Sequence, residues 1–351
     1  MGAPVKKRQK KGPAVRTRDW STQHEFAFTH DRAKHRKAAS VPEPPAPAFA
    51  PDDVRSNAIV VAHTGRWAFV QIDGREVMAD IDERLGRDRA TVLAPGDEVR
   101  VEFAGETPVV RGVALRRTKL SRLAHVHSAL EEQVIAANVD LLIIVASAAR
   151  PNFKPGLVDR YLIAAQVGRV NPLLVVNKMD LAVSEPDAVR LYREIGMRVI
   201  RTSCETGEGI GALREALAGK SGVVAGHSGV GKTSLINALD PSLNLPVQEI
   251  SQYNEKGKHT TTNARLFQLA GGIRIIDTPG ARNLGVWNVS PEEVAYYFPE
   301  LAETGTGCRF RNCTHTHEPG CAVREAVESG AIPRARFASY LRIRESLEKE
   351  K

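Results

Sequence analysis

Four short stretches of this 351-residue chain are apolar at nearly every position: Leu141-Leu142-Ile143-Ile144-Val145, Pro172-Leu173-Leu174-Val175-Val176, Ser221-Gly222-Val223-Val224-Ala225 and Ile273-Arg274-Ile275-Ile276. A strand with one wet face alternates apolar and polar residues, whereas a parallel strand covered by helices on both faces does not. Between the first two runs, Gly156 to Val167 has the spacing of a helix. The pattern predicts a doubly wound α/β domain over residues 119–290. Ligands of such sheets bind beyond the carboxyl ends of the strands. The residues that follow the second run are therefore where chemistry is expected.

The third run leads into Gly226-His227-Ser228-Gly229-Val230-Gly231-Lys232-Thr233-Ser234. This strand–loop–helix segment fits the phosphate loop, in which glycines let backbone N–H groups curl round a β-phosphate at a helix N-terminus. Lys232 is expected to reach the β- and γ-phosphates and the Thr233 hydroxyl to ligate Mg2+. The second run leads into Asn177-Lys178-Met179-Asp180. A carboxylate at Asp180 can accept from both N1–H and the 2-amino group of guanine, and adenine offers neither donor there. Asn177 is expected to brace the loop and contact N7, and the Lys178 stem to cover the ring. Ser203 and Cys204, in Thr202-Ser203-Cys204-Glu205-Thr206-Gly207, complete the base pocket, with Cys204 a small filler rather than a nucleophile. The fourth run ends in Asp277-Thr278-Pro279-Gly280, where Asp277 is expected to hold Mg2+ through water and the Gly280 N–H to sense a γ-phosphate.

These are the parts of a GTPase in a permuted order. Ordinarily the phosphate loop comes first and the guanine readers last; here the guanine readers precede it. The position after Gly280, where Ras-like enzymes carry the Gln that orients water, is Ala281. The nearest replacement is His259, in Lys256-Gly257-Lys258-His259-Thr260-Thr261-Thr262. An imidazole there can orient water near neutral pH. One threonine of this segment should close the magnesium shell, and Thr261 is the favoured one.

Charge is unevenly distributed. Residues 1–37 hold eleven Lys and Arg against Asp19, Glu25 and Asp31, so this segment accounts for the whole net charge of +8. Such a run suits phosphate neutralisation and counterion release, as on nucleic acid. With the Pro/Ala-rich stretch after it, residues 1–55 read as a disordered arm and linker. Residues 56–118 instead show about five short strands with Gly-bearing turns, which predicts an OB-fold; a generic SH3-like barrel fits the same spacing. No stretch approaches the roughly 20 apolar residues of a membrane span. A cytoplasmic protein with no membrane partner is expected.

Residues 291–351 read as a small, mainly helical domain carrying Cys308-x4-Cys313-x-His315-x5-Cys321. Three thiolates and an imidazole suit one closed, tetrahedral, structural Zn2+ ion, with His317 a rival ligand.

Taken together, the permuted motifs, Leu120-Ser121-Arg122, Gly257-Lys258-His259-Thr260-Thr261-Thr262 and Cys308…Cys313-x-His315…Glu318-Pro319-Gly320-Cys321-Ala322-Val323 resemble the RsgA (YjeQ) family over about residues 56–340. That family comprises circularly permuted GTPases of small-ribosomal-subunit biogenesis. The resemblance implies a monomer that binds the 30S subunit and its 16S rRNA through the OB-fold and zinc domain. It implies GTP hydrolysis that is slow alone and faster on the subunit, and help in releasing maturation factors. It also implies catalysis by His259 and ligation by His315 rather than His317. An RNA-binding assembly or chaperone module using GTP mainly as a binding switch is the alternative.

Overall fold

A computed structural model of the chain describes residues 54–64, 66–85, 92–126, 129–246, 264–278, 284, 286 and 288–349. Nearly all of the basic arm and linker, together with His259, Thr261 and Gly280, lies outside these residues.

Strands β1 (Ala58–His63), β2 (Trp67–Ile72), β3 (Arg75–Ile81), β4 (Glu98–Ala104) and β5 (Thr107–Val113) close into a barrel in the order β1-β2-β3-β5-β4. Every pairing is antiparallel except β3 with β5. This connectivity is that of an OB-like barrel and settles the choice against the SH3-like alternative. Alternate residues fill the interior, among them Val60, Ala68, Val70, Ala79, Val99, Val101 and Val110. The β2–β3 hairpin turns on Asp73-Gly74, both at positive φ (49° and 79°), as a two-residue turn between twisted strands demands.

A hairpin of β6 (Lys119–Val126) and β7 (Ala129–Ala137) follows. The sequence pattern does not predict it: residues 119–137 mix apolar with charged residues and carry no turn signal between the two strands. Next come β8 (Leu141–Ser147), α1 (Pro155–Gly168), β9 (Asn171–Asn177), α2 (Ala188–Glu194), β10 (Val199–Arg201) and α3 (Ile210–Leu217). They are followed by β11 (Ser221–Ala225), α4 (Lys232–Leu239), β12 (Arg265–Leu269) and β13 (Ile273–Asp277). The sheet runs β10-β9-β8-β11-β13-β12, parallel except for the edge strand β12. The four apolar runs are its four central strands. Their successive residues point to opposite faces. Leu142, Ile144, Leu174 and Val176 pack with Tyr161, Leu162 and Tyr192 in one core, and Ile143, Val145, Leu173 and Val175 pack with Leu213, Leu217, Leu235 and Ile236 in another. The edge strands β10 and β12 were missed because a strand of three or five half-buried residues carries little pattern.

The barrel is fastened to this domain. Val61 belongs to the same core as Leu266 and Ile276, with Ile59 and Phe69 packed against it. Asp97, fully buried, accepts from Arg116 Nε and an Arg116 terminal nitrogen at 2.7 Å each, and from the Ala94 N–H at 2.8 Å. Asn138 donates to Gly96 O (3.1 Å) and accepts from the Arg117 N–H (2.9 Å). A Cβ at Gly96 would stand 2.1 Å from Ala137 O, so only glycine permits this approach.

From Val289 onward the chain forms a separate compact unit. Helices α5 (Pro299–Thr304), α6 (Ala322–Glu328) and α7 (Arg334–Lys349) enclose Val294, Phe298, Leu301, Val323, Tyr340 and Ile343. Arg336, 3% exposed, bonds Glu300 at 2.5 Å and lies over the Phe298 ring. Among the described residues, no helix is long and apolar enough to cross a membrane.

Candidate guanine-nucleotide site and metal cluster

Those of the expected nucleotide residues that are described collect at the carboxyl ends of β9, β10, β11 and β13. Asn177 closes β9 with its side chain 1% exposed. Its Nδ2 donates to Val230 O in the phosphate loop (3.0 Å), while its Oδ1 accepts from Thr202 Oγ1 (3.1 Å) and the Cys204 thiol (3.7 Å). One amide thus ties three loops together. Lys178 takes φ 63° and begins the turn Met179–Leu181, and its Nζ donates to Arg150 O (2.7 Å). Asp180 accepts from Ser203 Oγ (2.5 Å), and Ser203 Oγ accepts from the Thr206 N–H (3.2 Å). Burial pushes the Cys204 thiol up, which keeps it protonated and suits a filler.

In the phosphate loop, a Cβ at Gly226 would stand 2.2 Å from Val145 O, and one at Gly231 (φ 92°) 2.5 Å from Asn177 Nδ2. Both glycines are required by close approach. Gly229 also has positive φ (77°), and Val230 anchors the loop in the core beside Leu235. Lys232 folds back over the loop, donating to Gly226 O (3.0 Å) and His227 O (2.9 Å). Ser228 is half-buried within the loop, and Thr233 and Ser234 are half-buried in the first turn of α4. Asp277 ends β13, in register with Val224 of β11. Burial pushes its carboxyl up, opposed by the charge of Lys232 and the Thr278 N–H. A half-buried carboxylate with a lysine charge beside it suits a Mg2+ site.

Sequence reasoning missed Thr202, which is fully buried, donates its hydroxyl to Asn177 and accepts from the Met179 N–H at its carbonyl. It also missed the segment between β8 and α1, where Arg150 and Lys154 meet the nucleotide loops. The strand-end rule applied to the first apolar run would have found that segment.

In the C-terminal unit, one ligand atom from each of Cys308, Cys313, His315 and Cys321 falls within 4.8 Å of all the others. His315 Nδ1 is 3.6 Å from Cys308 Sγ and 3.4 Å from Cys321 Sγ, and those two sulfurs are 3.9 Å apart. Tetrahedral zinc, with bonds of about 2.3 Å to sulfur and about 2.0 Å to nitrogen, needs S···S of about 3.8 Å and S···N of about 3.5 Å. The donor set fits. Burial, then contacts with Cys321 and Cys308, pushes the Cys313 thiol up to about 12. His317 instead is exposed and faces Thr316 Oγ1 (2.9 Å). Glu318 organises the loop by accepting from the Thr314 N–H and hydroxyl and from the Thr316 and His317 N–H groups. Burial opposes ionisation of Glu318, but these hydrogen bonds prevail and hold its carboxyl well below the usual range.

Comparison with known proteins agrees with this architecture. The RsgA GTPase family model matches residues 113–287. A small ribosomal subunit biogenesis GTPase RsgA of Bacteroides fragilis is 38% identical over 311 residues, covering 84% of this chain and 97% of that protein. The crystal structure of YjeQ from Thermotoga maritima superposes with a TM-score of 0.64 at 30% identity, over 83% of this chain and 98% of its own. That of YloQ, described as a circularly permuted GTPase, gives 0.61 at 26%, over 87% and 99%. Motif order, barrel and relatives converge: the chain belongs to the RsgA family of circularly permuted GTPases.

Proposed function

We propose that this protein hydrolyses GTP to GDP and phosphate and uses the cycle on the 30S ribosomal subunit, assisting its late maturation and the release of assembly factors. The observation that carries the reading is the Asn177 amide, which joins the guanine-reading loop to the phosphate loop although the chain visits them in reversed order. Curated relatives bear the name small ribosomal subunit biogenesis GTPase, which supports the subunit as partner.

In this reading Asp180 selects guanine, Asn177 and Lys178 brace its pocket, and Ser203 and Cys204 complete it. Residues Gly226 to Ser234 hold the phosphates. Thr233, Asp277 and Thr261 form the Mg2+ site, and the ion neutralises charge on the β- and γ-phosphates when bound. Gly280 senses the γ-phosphate, and His259 orients the attacking water. Cys308, Cys313, His315 and Cys321 hold a Zn2+ ion that cross-links its loop when bound. We further propose the division into arm (1–55), OB-fold (56–118), GTPase domain (119–290) and zinc domain (291–351). The protein acts as a cytoplasmic monomer contacting 16S rRNA.

The test is GTP turnover of the full chain with and without purified 30S subunits. Strong stimulation is expected; its absence favours a binding module over an enzyme. His259→Ala should lower turnover severely while GTP affinity stays near normal, and unchanged turnover removes His259 from the mechanism.

A further inference from the structure

We propose that Lys154 is a phosphate-contacting residue of the nucleotide site, delivered from outside the phosphate loop by the segment between β8 and α1. The proposal rests on the guanine-nucleotide reading above.

Lys154 is the N-cap of α1, and its carbonyl accepts from the N–H groups of Leu157 (3.1 Å) and Val158 (3.4 Å). Lysine is a poor choice there. Its side chain makes no capping bond, whereas Ser, Thr, Asp or Asn would satisfy a free helix N–H. An ammonium at the positive end of a 14-residue helix is also repelled by the helix dipole, and the first turn holds no acidic residue to offset it. A local rule broken without local compensation points to function.

The side chain reaches the phosphate loop. Lys154 Nζ lies 3.2 Å from His227 Nε2, and His227 Nδ1 lies 2.9 Å from Ser228 O. A carbonyl only accepts, so Nδ1 carries the proton and Nε2 accepts from the ammonium. Lys232 Nζ donates to His227 O from the same loop. Two ammonium groups therefore converge on one residue, one at its ring and one at its carbonyl.

The surrounding segment is braced against both halves of the site. Arg150 O receives Lys178 Nζ, and Pro151 Cδ is 3.9 Å from where a Gly229 Cβ would stand. Lys154 itself is exposed, beside the ring of His227. An exposed cation, a helix N-terminus and Lys232 together form a concentrated positive field. The ligand suited to it is the phosphate chain of a guanosine di- or triphosphate.

The experiment is fluorescence titration of the full chain with labelled GDP and a non-hydrolysable GTP analogue, at low and high salt, with guanosine measured by competition. Lys154→Ala and Lys154→Gln should bind both nucleotides about tenfold more weakly, the loss of one charge-assisted hydrogen bond. Their salt dependence should be shallower, guanosine binding unchanged, and Lys154→Arg should restore affinity. Equal affinity and equal salt dependence in Lys154→Ala and wild type overturn the proposal. Equal weakening of guanosine overturns it too, because a merely structural role would do that. A wild-type chain that binds no guanine nucleotide instead overturns the reading beneath it, and the proposal with it.

Discussion

Replacing Asn177 with Ala should disconnect the guanine loop from the phosphate loop. The side chain is 1% exposed and spans Val230 O and Thr202 Oγ1, whose residues are 2% and 0% exposed. Truncation leaves one buried acceptor and one buried donor without partners, at about 1–2 kcal/mol each, or about 2–4 kcal/mol together. The nucleotide-free protein can relieve that cost by opening the loop to water, and bound nucleotide must then close it again. Carried wholly into binding, the loss is about 30- to 700-fold in GDP affinity. Carried wholly into stability, it lowers the melting temperature by about 4–12 °C. Calorimetric titration with GDP and a thermal melt of the nucleotide-free protein measure the two shares. Asn177→Asp should fare no better, because its second oxygen faces the Val230 carbonyl with no proton to donate. An Asn177→Ala protein that binds GDP within about threefold of wild type and melts within about 1 °C of it would refute the reasoning.

Three further perturbations follow from the geometry. Cys313→Ser should release zinc and unfold the C-terminal unit, while His317→Ala keeps one equivalent; metal analysis with circular dichroism checks both. Burial raises the Asp277 carboxyl above its ordinary 3.8, so its ionised form costs the folded protein stability. That cost is absent below the unfolded value, grows as pH rises to the raised native value and is constant above it. Asp277→Asn should therefore raise the nucleotide-free melting temperature at neutral pH, not below pH 3.8, and weaken Mg2+-dependent GTP binding. Asp97→Ala removes the buried carboxylate that accepts from Arg116 and should cost about 3 kcal/mol in urea unfolding, where a loss under about 1 kcal/mol would argue against a tight junction.

Where the chain's information is local, its sequence suffices. The four apolar runs are the central strands because a parallel strand buried on both faces cannot alternate. The phosphate loop, Asn177 to Asp180 and Asp277 follow those runs directly, so strand and motif locate each other. The Cys and His spacing likewise names a donor set within some fourteen residues.

Other features needed the third dimension. The β6–β7 hairpin and the edge strands β10 and β12 are defined by partners rather than by their own pattern. His315 and His317 are chemically alike two residues apart, and only the fold turns one toward the sulfurs and the other toward Thr316. Lys154 carries no motif and gains meaning from standing at a helix start beside His227. The motifs and their order pointed to the nucleotide chemistry and to the family, because such signals are written in neighbouring residues. Contacts between residues distant in sequence, Asn177 with Val230 above all, were decided by tertiary structure. Those contacts let a chain with its motifs in permuted order build one nucleotide site.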